Sequence, residues 1–269
     1  MSPFHIVVCA GIVPDPLQTL EPITTPAGPA LKNEMMLPAV LDPWSAHALY
    51  EASHLAAQLS GSKVWLVSVA PKAKLQQVMM NIAQKASFEL VPVDAPVNGF
   101  SDAHCVAKIL AEAIESIVDL DRSRLLLFGG WESASRGAGV TMQLVGEQLG
   151  IPDQFHGVDQ ITAQPDGSFE VLERIIEGGR HLVSVCQGPP AVLGWATGNL
   201  PEPKNNPQVG MANMRTVMPA LQKAKHGCLQ QNVRYVSVTP PKQQRLTRVI
   251  KDRSPDDIAA ELAEWIAQD

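Results

Sequence analysis

The residues best able to do chemistry stand together in one stretch, Gly129-Gly130-Trp131-Glu132-Ser133-Ala134-Ser135-Arg136-Gly137-Ala138-Gly139, which follows an apolar run and opens an amphipathic one. Glycines at the end of a strand let backbone N–H groups approach a phosphate, and the start of the next helix adds favourable partial charge. The stretch is neither GxGxxG nor a Walker A loop, and a plain strand-to-helix turn that needs positive φ has the same composition. Arg136 could pair with a phosphate as easily as stand in solvent. A second candidate is Asp42-Pro43-Trp44-Ser45. Asp and Pro suffice as helix-start chemistry, whereas Trp44 can either pack in the core or stack on a planar ring.

Two further segments suggest surfaces. From Glu173 to Arg180, alternating charges flank a turn, the pattern of an edge hairpin. In the polar segment 201–214 the apolar residues include Val209, Met211 and Met214. Exposed methionine suits a surface that receives several partners, with disorder or folding back onto the core as equal alternatives. The seven histidines are scattered; His47 and His54 could share a helix face, but no HxxxH, HExxH or GxSxG pattern exists. Nothing nominates a nucleophile with its base.

These residues must be held by an alternation of short apolar runs and amphipathic stretches. Residues 5–10, 64–70, 88–93 and 125–128 read as buried strands. Between them, the helix begun by Asp42 and Pro43 runs to Gly61, and 72–86, 104–118 and 139–149 behave similarly, the last ending at Gly150. Strands separated by such helices imply right-handed crossovers and a parallel sheet covered on both faces. After Pro152 the strands 158–162, 169–176 and 182–185, with turns at 165–167 and 177–179, predict an antiparallel meander. Residues 194–217 show no periodicity and read as a long exposed loop. A last helix starts at Ser254-Pro255 and carries Ile258, Leu262, Trp265 and Ile266 as an apolar stripe.

Composition removes several function classes. The 269 residues are 45% hydrophobic and 18% charged, which excludes a coiled coil or a disordered tail. With 21 Lys and Arg against 27 Asp and Glu, the net charge of -6 offers no field to attract nucleic acid. Cys9, Cys105, Cys186 and Cys228 form no CxxC pair, which argues against zinc or a disulfide framework and fits a reducing cytoplasm. No apolar run reaches the roughly 18 residues of a membrane span, and the start lacks a cationic leader, so neither export nor membrane insertion is expected.

In order along the chain, these pieces resemble the β-subunit of the electron transfer flavoprotein family. The match is carried by Met36-Leu37-Pro38 through Asp42-Pro43-Trp44-Ser45-Ala46-His47 to Ala52, by Val171 to Gly179 followed by Pro190-Ala191-Val192-Leu193, by Glu202-Pro203 with Met211-Ala212-Asn213-Met214, and by Pro240-Pro241 with Arg245 before the final helix. Asp42 stands where the family commonly has Asn, Gly11-Ile12 where it has Lys-Arg, and only Thr141 keeps its polar Gln-Thr-Gly loop pattern.

The resemblance implies an adenine nucleotide alpha-hydrolase-like α/β fold, with a mostly parallel twisted sheet, helices on both faces, an antiparallel hairpin extension and a C-terminal arm. It divides the chain into residues 1–235, with a recognition loop at 194–217, and an arm at 236–269 that contacts a partner subunit. It implies a heterodimer with the α-subunit, which holds most of an FAD approached by Trp44 from this chain. Electrons would pass from flavoprotein dehydrogenases, recognised through Val209, Met211 and Met214, to a quinone oxidoreductase of a bacterial respiratory chain. A nucleotide, AMP in typical members or a second FAD in bifurcating ones, would meet Cys9, Asp42, Pro43, Ser45, Ser68, Gly130, Arg136, Gly139, Val140 and Thr141. The rival is an adenine-nucleotide-binding hydrolase that uses the 129–139 loop.

Overall fold

The computed structural model describes residues 3–267 apart from 27, 136, 176–178, 231, 237, 238, 240, 241, 243–246 and 248. The turn residues Glu177 and Gly178, the candidate Arg136, and Pro240, Pro241 and Arg245 of the expected arm therefore lie outside the described residues.

The chain forms two compact units, Met1–Ser237 and Val238–Asp269. The first begins with β1 (His5–Cys9), β2 (Ile12–Pro14), the hairpin β3 (Pro22–Thr25) and β4 (Gly28–Leu31), then β5 (Ala39–Leu41) and α1 (Pro43–Gln58). It continues through β6 (Lys63–Ala70), α2 (Lys72–Ile82), β7 (Glu89–Asp94), α3 (Ala103–Glu115), β8 (Leu125–Gly130) and α4 (Thr141–Gln148). The meander β9 (Gln154–Ala163), β10 (Phe169–Ile175) and β11 (Arg180–Cys186) follows, then β12 (Ala191–Trp195), α5 (Pro207–Gln222) and β13 (Lys225–His226).

The main sheet has the order β11-β10-β9-β12-β8-β1-β6-β7-β13. It is parallel from β9 through β12 to β13 and antiparallel only at β9-β10 and β10-β11. This is the expected α/β architecture. β1 shows why its sequence is apolar throughout: Ile6 and Val8 join one core with Leu49, Leu75 and Phe128, while Val7 and Cys9 join the other with Ile114, Leu127 and Val145. A strand buried on both faces has no polar side to alternate with.

The expected loop at 194–217 is corrected by α5. Asn206 accepts from the N–H groups of Gln208 and Val209, and Pro207 occupies the first turn. The buried stripe is Gly210, Asn213, Val217 and Leu221, two of whose members are not apolar. A Cβ at Gly210 would stand 3.0 Å from Gln84 Cγ. Asn213 Nδ2 donates to the carbonyls of Ala83 (2.7 Å) and Ala86 (2.6 Å), which ties α5 to the end of α2. Periodicity in hydrophobicity cannot report a helix that packs through a glycine and an amide.

The second unit contains α6 (Pro255–Ala267). Ser254 Oγ accepts from the N–H of Asp257 and donates to its carboxylate. No residue of this helix is buried, and Leu262, Trp265 and Ile266 remain exposed. Among the described residues no helix is long and apolar enough to cross a membrane.

Candidate functional site

The sheet changes winding direction at β1: the chain runs outward through β6 and β7, then returns through α3 to place β8 on the other side of β1. Loops diverge at such a point and leave a crevice at the carboxyl ends of the strands. A cleft of about 1080 Å³, open solvent included, lies there. Among the expected nucleotide residues, Cys9, Asp42, Ser45, Gly130, Gly139 and Thr141 line it. Pro43, Ser68 and Val140 do not. Ser68 is fully buried and its hydroxyl donates to the Ala10 carbonyl at 2.8 Å, holding β6 to the end of β1.

Asp42 organises the cleft. One carboxylate oxygen accepts from the N–H of Trp44 at 3.2 Å, capping α1. The other accepts the Ser133 hydroxyl and the Ala134 N–H, both at 2.9 Å, so the loop after β8 is fastened to the start of α1. Ser133 Oγ also stands 2.8 Å from Ser135 Oγ. Asp42 is only 2% exposed. Burial raises its carboxyl above the usual carboxylate value, against the pull of those hydrogen bonds.

Close approaches fix the loop at both ends. A Cβ on Gly130 would meet Trp44 Cβ at 2.7 Å and the Glu132 carbonyl at 2.9 Å. Gly139 has φ +63°, and its Cβ would meet the Trp131 carbonyl oxygen at 2.6 Å. Only glycine fits either place. Trp44, in the first turn of α1, is half-buried and does not line the cleft. Cys9 contributes only shape, because burial pushes its thiol up to about 12 and leaves no thiolate for chemistry.

Sequence reasoning did not single out the cleft's other charged groups. Glu34 and Lys74 line it and pair with each other at 3.0 Å, joining the turn before β5 to the first turn of α2. Glu132 lines it too, with Oε2 3.8 Å from where a Cβ on Gly137 would be. Val140 gives α4 no side-chain cap, so the first-turn N–H groups of that helix have no acceptor from it. The cleft thus brings the Thr141 hydroxyl and the start of α4 beside the loop after β8. Among the described residues, backbone donors at a helix start and a hydroxyl in such a crevice are compatible with a nucleotide. No group of three or more His, Cys, Asp or Glu among the described residues could hold a metal.

A second polar cluster braces the hairpin. Arg174 donates twice to Asp159, at 2.9 and 2.6 Å, and once to the Thr197 hydroxyl, and His181 Nε2 stands 2.9 Å from Asp159. Asp159 is 6% exposed. Burial works to raise its carboxyl, but the hydrogen bonds and charges of Arg174 and His181 outweigh it and hold the group below the usual value. The expected recognition residues sit on α5: Met211 is exposed, Val209 and Met214 are half-buried, and Met218, one turn beyond Met214, is exposed on the same side.

A family model described as electron transfer flavoprotein domain matches residues 33–224, which include the cleft loop, the braced hairpin and α5. No curated protein matches the chain.

Proposed function

Because this chain belongs to the electron transfer flavoprotein family, we propose that it is the β-subunit of a heterodimeric electron carrier. Its partner is the α-subunit, which holds most of an FAD. Electrons arrive from flavoprotein dehydrogenases docking at Met211 with Val209 and Met214, and leave towards a quinone oxidoreductase in the respiratory chain of a bacterial cytoplasm. Residues 236–269, with the exposed apolar stripe of α6, form the arm that grips the α-subunit. The cleft at the ends of β1 and β8 holds an adenine nucleotide, AMP ahead of a second FAD, against Cys9, Asp42, Ser45, Gly130, Gly139 and Thr141.

The reading is supported above all by one observation: a single family match runs through the cleft loop, the hairpin and α5 together. The flavin supplies the redox chemistry when bound. This chain's part is positional: Asp42 fixes the loop and the first turn of α1, and that turn presents Trp44 at the interface. A hydrolase reading finds less support, since the Cys9 thiol is buried and the Asp42 carboxylate is engaged with the loop.

Coexpression with an adjacent α-subunit reading frame tests the proposal. A yellow heterodimer reduced by a dehydrogenase is expected, and a colourless chain active alone on nucleotides would overturn it. Denaturing that heterodimer and separating the released nucleotides should give one FAD with one AMP; two FAD would indicate a bifurcating type.

A further inference from the structure

Charge is distributed unevenly along the first unit. Residues 1–202 hold 11 Lys and Arg against 21 Asp and Glu, whereas residues 203–237 hold five cations, Lys204, Arg215, Lys223, Lys225 and Arg234, and no acidic residue. All five are exposed. Lys204 precedes α5, Arg215 stands in its middle and Lys223 is its C-cap, so these cations follow a helix about 24 Å long. At spacings of four and three residues, Met211, Arg215 and Met218 share one exposed side of that helix. The buried stripe of Gly210, Asn213, Val217 and Leu221 is separate from it. Arg215 pairs with no carboxylate among the described residues. Of the elements packed against α5, α2 has no acidic residue and β7 has Glu89 and Asp94. Asp94 accepts from the Lys72 N–H at 2.9 Å and stands 3.4 Å from His226, and Glu202 pairs with Lys85.

From the charge pattern and the stripe together we propose that α5 docks an acidic protein surface, one carboxylate of which seats on Arg215 between apolar sockets for Met211 and Met218. The proposal rests on the reading that the electron-donating dehydrogenase binds at α5, and it specifies the chemistry of the donor's face. Two methionines supply apolar contact with little orientation, whereas a guanidinium takes a carboxylate in a fixed two-point geometry and so sets the register along the helix. The acidic excess of residues 1–202 repels such a partner while the basic helix attracts it, which steers the encounter to α5. An anionic lipid surface fits less well. Lying in a membrane interface takes a broad apolar face, and α5 leaves outward only two exposed methionines split by a charge.

The rate at which a flavoprotein dehydrogenase reduces the coexpressed heterodimer tests this, read with limiting and with saturating dehydrogenase at about 0.02 and 0.5 M salt. Arg215→Glu should lower the second-order rate roughly tenfold or more at low salt and Arg215→Gln by less, with the difference closing at high salt. The saturating rate and reduction by dithionite should not change. Lys108→Glu, the same charge change at an exposed position of α3, should leave the rate near that of the parent. An equal loss in Lys108→Glu would assign the effect to net charge and overturn the proposal. Cosedimentation of the parent with phosphatidylserine–phosphatidylcholine vesicles, lost in Arg215→Glu, would make the ligand a lipid surface and overturn it as well. If Met211→Ala slows reduction and Arg215→Glu does not, the inference falls and docking at α5 stands. If neither variant slows it, or no dehydrogenase reduces the parent, both fall together.

Discussion

Asp42 and Ser133, 91 residues apart in sequence, are joined by a hydrogen bond of 2.9 Å from the serine hydroxyl to the carboxylate. It couples the first turn of α1 to the loop after β8, and the carboxyl that accepts it is buried.

The coupling has a pH signature. Burial holds the folded carboxyl of Asp42 above its ordinary value of 3.8, outweighing the hydrogen bonds from Ala134, Ser133 and Trp44. A carboxyl with a raised folded pKa favours folding in its protonated form. That contribution is complete below 3.8 and is lost as the pH rises through the raised value. Asp42→Asn removes the titration, so its stability relative to the parent should improve as the pH climbs from 3.8. Urea denaturation of both proteins between about pH 3.5 and pH 7 reads the difference, and a flat difference would show that Asp42 ionises normally.

Gly130→Ala should cost roughly 2 kcal/mol, the scale of overpacking in a tight site, because the new methyl would meet Trp44 Cβ at 2.7 Å and a backbone carbonyl at 2.9 Å. Trp44 must move to admit it. A lowered Tm with a changed tryptophan emission is expected, and a Tm within a degree of the parent would mean that α1 can retreat freely.

Much of this was legible in advance, and the failures have physical causes. β1, β6 and β8 are apolar runs buried on both faces, so their sequences announce them. Asp42-Pro43 announces α1 because capping is local. α5 is not legible because Gly210 and Asn213 occupy its buried face. Within the cleft, Gly130 and Gly139 could be nominated from a glycine-rich turn before a helix, and Thr141 only from the family resemblance. The link from Asp42 to Ser133, and that from Lys74 to Glu34, join residues 91 and 40 apart, and no spacing rule reaches that far.

Asp159→Ala should destabilise the chain by about 1 to 2 kcal/mol at neutral pH, since it removes the buried acceptor shared by Arg174 and His181, whose own side chains are partly exposed and can turn to water. The folded carboxyl is held below the ordinary 3.8, so its contribution is present above that value and is lost as the pH falls through the folded one. The difference between variant and parent should shrink in acid. Denaturant midpoints at pH 7 and pH 3 check it, and an equal gap at both would assign the loss to packing alone.

Met211 is 65% exposed on α5, so Met211→Ala should change stability by less than about 0.5 kcal/mol, the usual range for surface substitutions. If the residue anchors a dehydrogenase, the same variant should lose roughly 2 kcal/mol of association, over tenfold in affinity. Dehydrogenase-dependent flavin reduction at limiting carrier would slow accordingly while reduction by dithionite would not. Equal enzymatic rates for variant and parent would move the docking site elsewhere, with Met218 on the same side of the helix the next residue to change.

Trp44→Ala bears on how close this chain comes to the flavin. The side chain is half-buried, and its cap to Asp42 runs through the backbone N–H at 3.2 Å, so removing the indole leaves the helix start intact. Loss of a partly buried aromatic ring should cost about 1 to 2 kcal/mol, well below the 3 to 5 of a core position. An indole at the edge of an isoalloxazine alters its polarity and excludes water. In a folded, fully loaded heterodimer the variant should therefore shift the flavin's visible spectrum or its midpoint potential. Trp44→Phe, which keeps an aromatic face, should restore most of that shift. Spectrum and potential unchanged in Trp44→Ala, with only the stability cost remaining, would assign Trp44 to packing against Gly130 and place the flavin against other residues of this chain.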